Sequence, residues 1–524
     1  MRIESVVALA ALGAARLVLA TDFEAHCRDI ASQLDVANST VWFSQYVPGG
    51  TNLTFPDNNV TCARPAQVIP KDICRVALYV ATSNRSGISM ETWLPRDWTG
   101  RLLSTGNGGL GGCIQYEDMA YTVGLGFATI GANNGHNGTS GGAFYNNADV
   151  VQDFAWRSVY TGVVVGKQIS NAFYGAPHTK SYYLGCSTGG RQGLKMVQDF
   201  PDAFDGVVAG APANAFNNLT SWSGHFYTLT GPVNASTFIP ASMWPVIHQD
   251  ILDQCDNIDG YADGILEDPD LCQYRPESLI CGPGNTTNCL TGEQASTLRQ
   301  IFSPLYGLDG SLVYPRLQPG AERVAGQAIL NGRPFPYTAD WFRYAVYNDP
   351  SWDPATLDAA DYAYATRLNP GGIETWKGDL SAFRDRGGKL LTYHGLQDGI
   401  ITSDNSARYY NYVSRTMNLP SSALDSFYRY FRISGMEHCS GGPGAWQIGQ
   451  SRGNASLSPD ANILMAMVRW VENTTAPESI LGTKFVNDTR SLGVAFQRAH
   501  CKYPTRNVYS GDGDPTEPES WDCV

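Results

Sequence analysis

Alternation of apolar and polar positions, broken by glycine, proline and asparagine, marks a series of short strands in the first two-fifths of the chain. RVALYVAT (Arg75 to Thr82), SMETWLP (Ser89 to Pro95) and RLLSTGNGG (Arg101 to Gly109) come first. GFATIGANNG (Gly126 to Gly135), KSYYLGCS (Lys180 to Ser187) and DGVVAGAPA (Asp205 to Ala213) follow. Between the fourth and fifth, Asn147 to Gly175 carries apolar residues at helical spacing. Strands that alternate with helices predict a largely parallel sheet.

From about residue 215 to 385 the alternation stops, and four cysteines, scattered aromatics and many turn residues take its place. It then resumes. KLLTYHGLQD (Lys389 to Asp398) reads as a strand ending in a polar loop, and SDNSARYYNYVSRTMN as a helix capped by Ser403. FYRYFRISGMEHCSGG (Phe427 to Gly442) reads as a strand running into a loop. SPDANILMAMVRWVEN reads as a helix with Ser458 at its cap and Pro459 at its first position. The expectation is an α/β fold in which residues 21–214 and 386–524 form the catalytic domain and 215–385 an inserted lid.

Composition narrows the setting. The chain has 524 residues, 43% hydrophobic and 16% charged, with net charge -13; a polyanionic partner, nucleic acid or an anionic membrane, is disfavoured. Arg2 followed by VVALAALGAA and the small residues Val18 and Ala20 predict a secretory leader over 1–20. Eleven N-x-S/T sites follow, at Asn38, Asn52, Asn59, Asn84, Asn137, Asn218, Asn234, Asn285, Asn454, Asn473 and Asn487. With twelve cysteines and no C-x-x-C pair, they fit a secreted, extracellular, disulfide-bonded glycoprotein.

The chemistry centres on Gly185-Cys186-Ser187-Thr188-Gly189. A G-x-S-x-G turn between a strand and a helix lifts a serine hydroxyl above the sheet edge, with the Thr188 N–H facing the same point. The bland alternative is a chance match in a glycine-rich chain. A serine needs a base and the base an orienting acid, and on such a sheet both come later in the chain. His225 and His248 fall in the insertion, His394 lies inside a strand as a buried structural residue, and His500 sits in a tail-like segment. His438, in a loop after a late strand, is the base; Asp398, ending the strand before, is the acid. Asp404 is the runner-up, better explained as a first-turn helix residue. Gly108 or Gly109, in the early GNGG loop, supplies the second oxyanion N–H.

Cys186 precedes the serine and Cys439 follows the histidine. A bond between them sets the two Cα atoms roughly 5.5–6 Å apart and holds Ser187 and His438 together. GCSTGG, QDG and EHC resemble the tannase and feruloyl esterase family, marked by this Cys-Ser, Asp, His-Cys arrangement. STGNGGLGGC, YYLGCSTGGRQG, FRDRGGKLL and ISGMEHC are similar to its fungal type B feruloyl esterases, and the resemblance extends over nearly the whole chain. It implies an α/β-hydrolase core under a lid, with Ser187 as nucleophile, His438 as base and Asp398 as orienting acid. It also implies a substrate class that the residues do not supply: feruloyl and p-coumaroyl (hydroxycinnamoyl) esters of plant cell-wall polysaccharides such as xylan.

Asp256, Asp259 and Asp263 crowd into CDNIDGYADGILEDPDLC, where Gly260 and Gly264 allow sharp turns. The residues alone leave a solvated acidic turn beside a calcium loop completed by the Tyr261 and Ile265 carbonyls; the resemblance implies structural calcium, with no organic cofactor. Sequence proximity suggests Cys255–Cys272, Cys281–Cys289 and Cys501–Cys523. Cys27–Cys74 and Cys62–Cys113 complete the set, supported by the resemblance. Trp222, Phe226, Tyr227, Trp244, Trp341, Phe342, Tyr344 and Tyr347 are the aromatics from which the insertion could wall an acyl pocket, though most suit a core. The rivals are a tannase acting on galloyl esters and a non-catalytic, calcium-dependent carbohydrate-binding protein. Monomer and homodimer both stand open.

Overall fold

Period-two burial explains the sheet. In the computed structural model, which describes residues 20–284, 287–451 and 453–524 (side chains from residue 23), Tyr182 and Leu184 join one apolar cluster and Tyr183 the other. Leu102 and Leu103, Val207 and Val208, and Leu390 and Leu391 divide in the same way. Strands buried on both faces need apolar side chains at every position, and these have them.

Nine strands form the sheet: β1 (Ser39–Val47), β2 (Ile73–Ala81), β3 (Gly87–Pro95), β4 (Arg101–Thr105), β5 (Ala128–Ala132), β6 (Lys180–Cys186), β7 (Gly206–Gly210), β8 (Lys389–Gly395) and β9 (Tyr428–Ile433). Their order is β1-β2-β3-β5-β4-β6-β7-β8-β9. The first three pairings are antiparallel and the remaining five parallel. The exchange of β4 and β5 makes the chain cross over, and every parallel return places a loop at the same carboxyl edge of the sheet.

Helices α1 (Ser158–Tyr174) and α2 (Thr188–Asp199) cover one face, with Val159, Val163, Leu194 and Val197 packed on it. Helix α5 (Ile463–Asn473) covers the other through Ile463, Leu464 and Met467. The α1 pattern begins earlier, as a helix over Ala148–Gln152 and a π-turn over Asp153–Arg157.

Between β7 and β8 lies the long excursion that interrupts the alternation. It is mainly helical, beginning with α3 (Phe216–Thr230), and packs Trp222, Phe226, Ile247, Leu298, Trp341 and Phe342 into a cluster that also takes in Leu110 and Phe144. The insertion therefore shares its core with loops of the sheet. All six cysteine pairs named above are formed: Cys27–Cys74, Cys62–Cys113, Cys186–Cys439, Cys255–Cys272, Cys281–Cys289 and Cys501–Cys523.

Four sequence readings need correction. The edge strand β1 is the one sheet strand that the sequence pattern does not predict: its alternation is broken once, where its register shifts between Val41 and Phe43, and it is half-exposed. Ser458 and Pro459 lie in a turn; α5 starts at Ile463, capped by Asn462, whose side chain accepts from the Met465 N–H. Ser403 precedes helix α4 (Asp404–Met417) but makes no side-chain capping bond. His500 is not in a tail: it is fully buried in a C-terminal strand, Val494–Cys501, against the Ala445 carbonyl, and burial pushes its pKa down to about 4. The expected leader, apart from Ala20, and Asn285 lie outside the described residues. Among the described residues no helix is long and apolar enough to cross a membrane.

Candidate active site

Ser187 sits at the hinge between β6 and α2 with φ 64° and ψ -124°, a conformation that a non-glycine residue holds only where its surroundings force it. The surroundings are its glycines. A Cβ on Gly185 would lie 2.8 Å from the Gly189 carbonyl carbon, and one on Gly189 would lie 3.1 Å from the Asn107 carbonyl oxygen. The turn can close only if both positions lack side chains. The Ser187 N–H donates to the Gly210 carbonyl at 3.0 Å, which fastens the turn to β7.

The glycine loop after β4 meets this turn. The Thr188 hydroxyl donates to the Gly109 carbonyl at 2.7 Å. Below it, fully buried Gln192 of α2 accepts from the Asn107 N–H (3.0 Å) and donates to the Asn107 side-chain oxygen (3.1 Å). A buried polar network with its partners supplied is rigid, so Gly108, Gly109 and Thr188 are held in register.

Asp398 follows β8 and His438 follows β9, at the same edge. His438 Nδ1–H donates to Asp398 Oδ2 at 2.6 Å. The other carboxylate oxygen accepts the Ile400 and Ile401 N–H groups, each at 2.9 Å. Burial opposes ionisation of Asp398, but the His438 imidazole and the hydrogen bonds from His394 and His438 hold its carboxyl well below the usual carboxylate range. Burial would lower the His438 pKa; Asp398 beside it outweighs that and raises it.

Sequence reading assigned His394 only a structural role, yet it touches the acid. Its Nε2 lies 3.1 Å from Asp398 Oδ2 and 3.0 Å from the Ile401 carbonyl. A carbonyl only accepts, so Nε2 carries the proton, and Nδ1 accepts the Ser406 hydroxyl at 2.7 Å. Asp398 is therefore gripped from two sides by imidazoles. The four-residue spacing of His394 and Asp398 was visible in TYHGLQD, but nothing there showed that the chain doubles back. Asp404, the runner-up acid, opens α4.

The Cys186–Cys439 bond joins the serine's turn to the histidine's loop across 253 residues, with Cα atoms 6.0 Å apart. Ser187 and His438 line one cavity of about 400 Å³ with Thr188, Gly108 and Gly109. As suited most of them, Trp222, Phe226, Trp244, Trp341 and Phe342 of the insertion are buried in the core; Tyr227, Tyr344 and Tyr347 do not line the cavity either. The rings that do line it are Phe216, Phe335, Tyr337 and Tyr393.

The acidic loop lies in the insertion, closed by Cys255–Cys272. Asp256 Oδ2 accepts the Gly264 N–H at 2.9 Å; Asp259 accepts the Tyr261 and Glu267 N–H groups at 3.1 and 3.2 Å; Asp263 accepts the Ile265 N–H at 3.1 Å. Arg498, from the C-terminal strand, reaches Asp263 at 3.1 Å and also pairs with Glu267. Asp256 Oδ1 is buried with no partner. Burial raises the carboxyl pKa of all three aspartates, that of Asp259 to about 6. Among the described residues no three carboxylate, imidazole or thiolate side chains converge as a metal cluster. An all-oxygen donor set with one orphaned carboxylate oxygen fits a hard cation that takes backbone carbonyls as well.

The strand order, the strained serine turn and the loops gathered at one sheet edge define an α/β-hydrolase. A family model described as "Tannase and feruloyl esterase" matches residues 74–524, and the chain belongs to that family. It is 56% identical over 516 residues to "Probable feruloyl esterase B-2" of Aspergillus oryzae, covering 98% of each chain. The crystal structure of feruloyl esterase B from Aspergillus oryzae is 51% identical with a TM-score of 0.94, covering 96% of this chain and all of that one. Tannin acyl hydrolase from Aspergillus niger, 22% identical with a TM-score of 0.73 and 95% of each chain covered, shares the fold. The chain is a carboxylic ester hydrolase.

Proposed function

We propose that the chain hydrolyses feruloyl and p-coumaroyl esters of plant cell-wall polysaccharides through an acyl-enzyme on Ser187. The observation that carries the chemistry is the His438–Asp398 bond at a cavity that Ser187 shares, with serine turn and histidine loop joined covalently. The names of the relatives carry the substrate class.

His438 Nε2 takes the Ser187 proton as the hydroxyl oxygen attacks the ester carbonyl. Asp398 holds Nδ1 protonated and steadies the imidazolium. The N–H groups of Thr188 and of Gly108 or Gly109 receive the oxyanion, each worth about 3 kcal/mol of barrier lowering. The imidazolium then protonates the departing alcohol. Water, deprotonated by His438, releases the hydroxycinnamate.

Residues 215–385 act as the lid domain. The loop of Asp256, Asp259 and Asp263, with the Tyr261 and Ile265 carbonyls, holds calcium; the ion supplies positive charge that fixes the loop's shape and takes no part in the ester chemistry. An extracellular setting is supported by six disulfides and by the exposure of sequon residues such as Asn38, Asn84, Asn137, Asn234 and Asn473.

The test is turnover of methyl ferulate, methyl p-coumarate and methyl gallate by the purified protein. Hydrolysis of the cinnamates is expected; hydrolysis of gallate alone removes the acyl assignment and leaves a tannase. Ser187→Ala should cut kcat on the order of 10⁶-fold and abolish labelling by a fluorophosphonate. Retained labelling would place the nucleophile elsewhere.

A further inference from the structure

The catalytic cavity has two unlike walls, and the glycine loop lies between them. On one side a Cβ on Gly109 would fall 2.5 Å from the Tyr337 hydroxyl. The Phe335 ring lies 5.0 Å from that of Tyr337, and Phe216, Leu219 and Ile400 line the cavity and share the apolar cluster of Phe335. On the other side a Cβ on Gly108 would meet the Gln115 amide nitrogen at 3.8 Å. Thr61, Arg64, Glu117 and Asp118 continue this second wall.

The polar wall is built, not incidental. Its two segments are stapled by Cys62–Cys113. Arg64 donates to both Glu117 carboxylate oxygens at 2.5 and 2.7 Å and to the Gln115 side-chain oxygen at 2.5 Å. The Arg64 and Glu117 side chains keep 21% and 26% of their surface open, so the array is preformed and still reachable. The Ser451 hydroxyl donates to Asp118 at 2.5 Å and extends the wall.

An arene laid against a paired guanidinium and carboxylate would strip their water without replacing its hydrogen bonds. It gains instead from the apolar wall. The acyl and alcohol parts of an ester leave the carbonyl carbon in different directions, so an acyl group on the Tyr337 side turns the alcohol toward Gln115. Resting on the hydroxycinnamoyl reading, we propose that Arg64, Gln115 and Glu117 form an alcohol-side subsite that binds the hydroxyls of the sugar carrying the ester. A sugar hydroxyl both donates and accepts; Glu117 accepts from it, and Arg64 and the Gln115 amide donate to it.

The experiment compares kcat/KM for a feruloylated arabinosyl xylo-oligosaccharide with that for methyl ferulate, which has no sugar, and reads the ratio. In Arg64→Met the ratio should fall about tenfold, mainly through KM, as expected for one lost charge-assisted hydrogen bond. Gln115→Ala should lower it about threefold, near the low end for a neutral hydrogen bond. Thermal melting checks each fold, and if Arg64→Met does not fold, Gln115→Ala decides. Phe335→Ala should weaken both substrates and leave the ratio within about twofold of wild type, because it touches only their shared acyl group. Unmoved ratios in the polar variants overturn the subsite, and so does a Phe335→Ala ratio that falls as the Arg64→Met ratio should. A wild type inactive on methyl ferulate removes the acyl reading and this subsite with it. A wild type active on methyl ferulate, with unmoved ratios, removes the subsite alone.

Discussion

At the end of β8, Asp398 is fully enclosed and still ionised: two imidazoles face one oxygen and two backbone N–H groups the other. In the insertion, Asp256 and Asp259 are also buried while Asp263 is exposed; backbone N–H groups supply most of their partners, and Arg498 reaches Asp263. One carboxyl has a pKa below the usual range; the other three are above it. A disulfide accompanies each region, spanning 253 residues in the first and 17 in the second. Chain-entropy scaling assigns about 5.5 and about 3 kcal/mol to loops of those sizes. The difference teaches where each site is complete. The Asp398 carboxylate is satisfied by the chain itself, whereas one oxygen of Asp256 in the acidic loop is buried without a partner.

Breaking the complete side should have the largest effect. Asp398→Asn should lower kcat by about 10⁴-fold, because the imidazole loses the group that fixes its tautomer and steadies its charge. The pH profile carries a sign. Asp398 raises the His438 pKa, so the protonated, inactive imidazole persists to higher pH in wild type. Without the anion, the acid limb of kcat/KM should move to lower pH. A limb that stays in place or moves upward contradicts the pairing.

Replacing Cys186 and Cys439 together by serine should lower kcat about 10²-fold, the cost of roughly 1 Å of misplacement between nucleophile and base. Full activity after the double change would show that packing alone aligns the two loops. His394→Gln should lower kcat about tenfold with KM near wild type, as one charge-assisted bond to Asp398 is lost. A change confined to melting temperature would mean that His394 serves only the fold.

The smallest effect on turnover belongs to the incomplete side. Dialysis against a calcium chelator should lower the melting temperature by about 2–5 °C and leave kcat at 25 °C within about twofold, since the loop is not among the residues lining the catalytic cavity. The loss should be larger at pH 7 than at pH 4.5, where protons compete for the carboxylates. Equal melting curves with and without chelator would leave the loop an acidic turn.

Much of this arrangement was legible before any fold was known. Residue types at fixed local spacing carried it: glycines two positions either side of Ser187, cysteines adjacent to Ser187 and His438, three aspartates within eight residues. Local pattern also placed eight of the nine sheet strands. It failed at β1, whose alternation is broken by a register shift between Val41 and Phe43, and at the start of α5, where a Ser-Pro pair mimics a helix entry and Asn462 performs it. For the pocket it was half right: large insertion aromatics such as Trp222 and Trp341 are drawn into the core, as suited most of those named, because there they bury the most surface, but Phe216, Phe335 and Tyr337, which line the cavity, were not among them.

By itself the sequence determined the serine's glycine-flanked turn, the histidine and aspartate proposed as its partners and the disulfide-bonded character of the chain, because each rests on residue types at short spacing. Only the tertiary structure decided that His394 grips Asp398, that an oxygen of Asp256 is left without a partner, and that Gln115 and Tyr337 flank the glycine loop from opposite sides. Those contacts join segments brought together by strand order and insertion packing, and no local spacing encodes the directions from which distant side chains arrive.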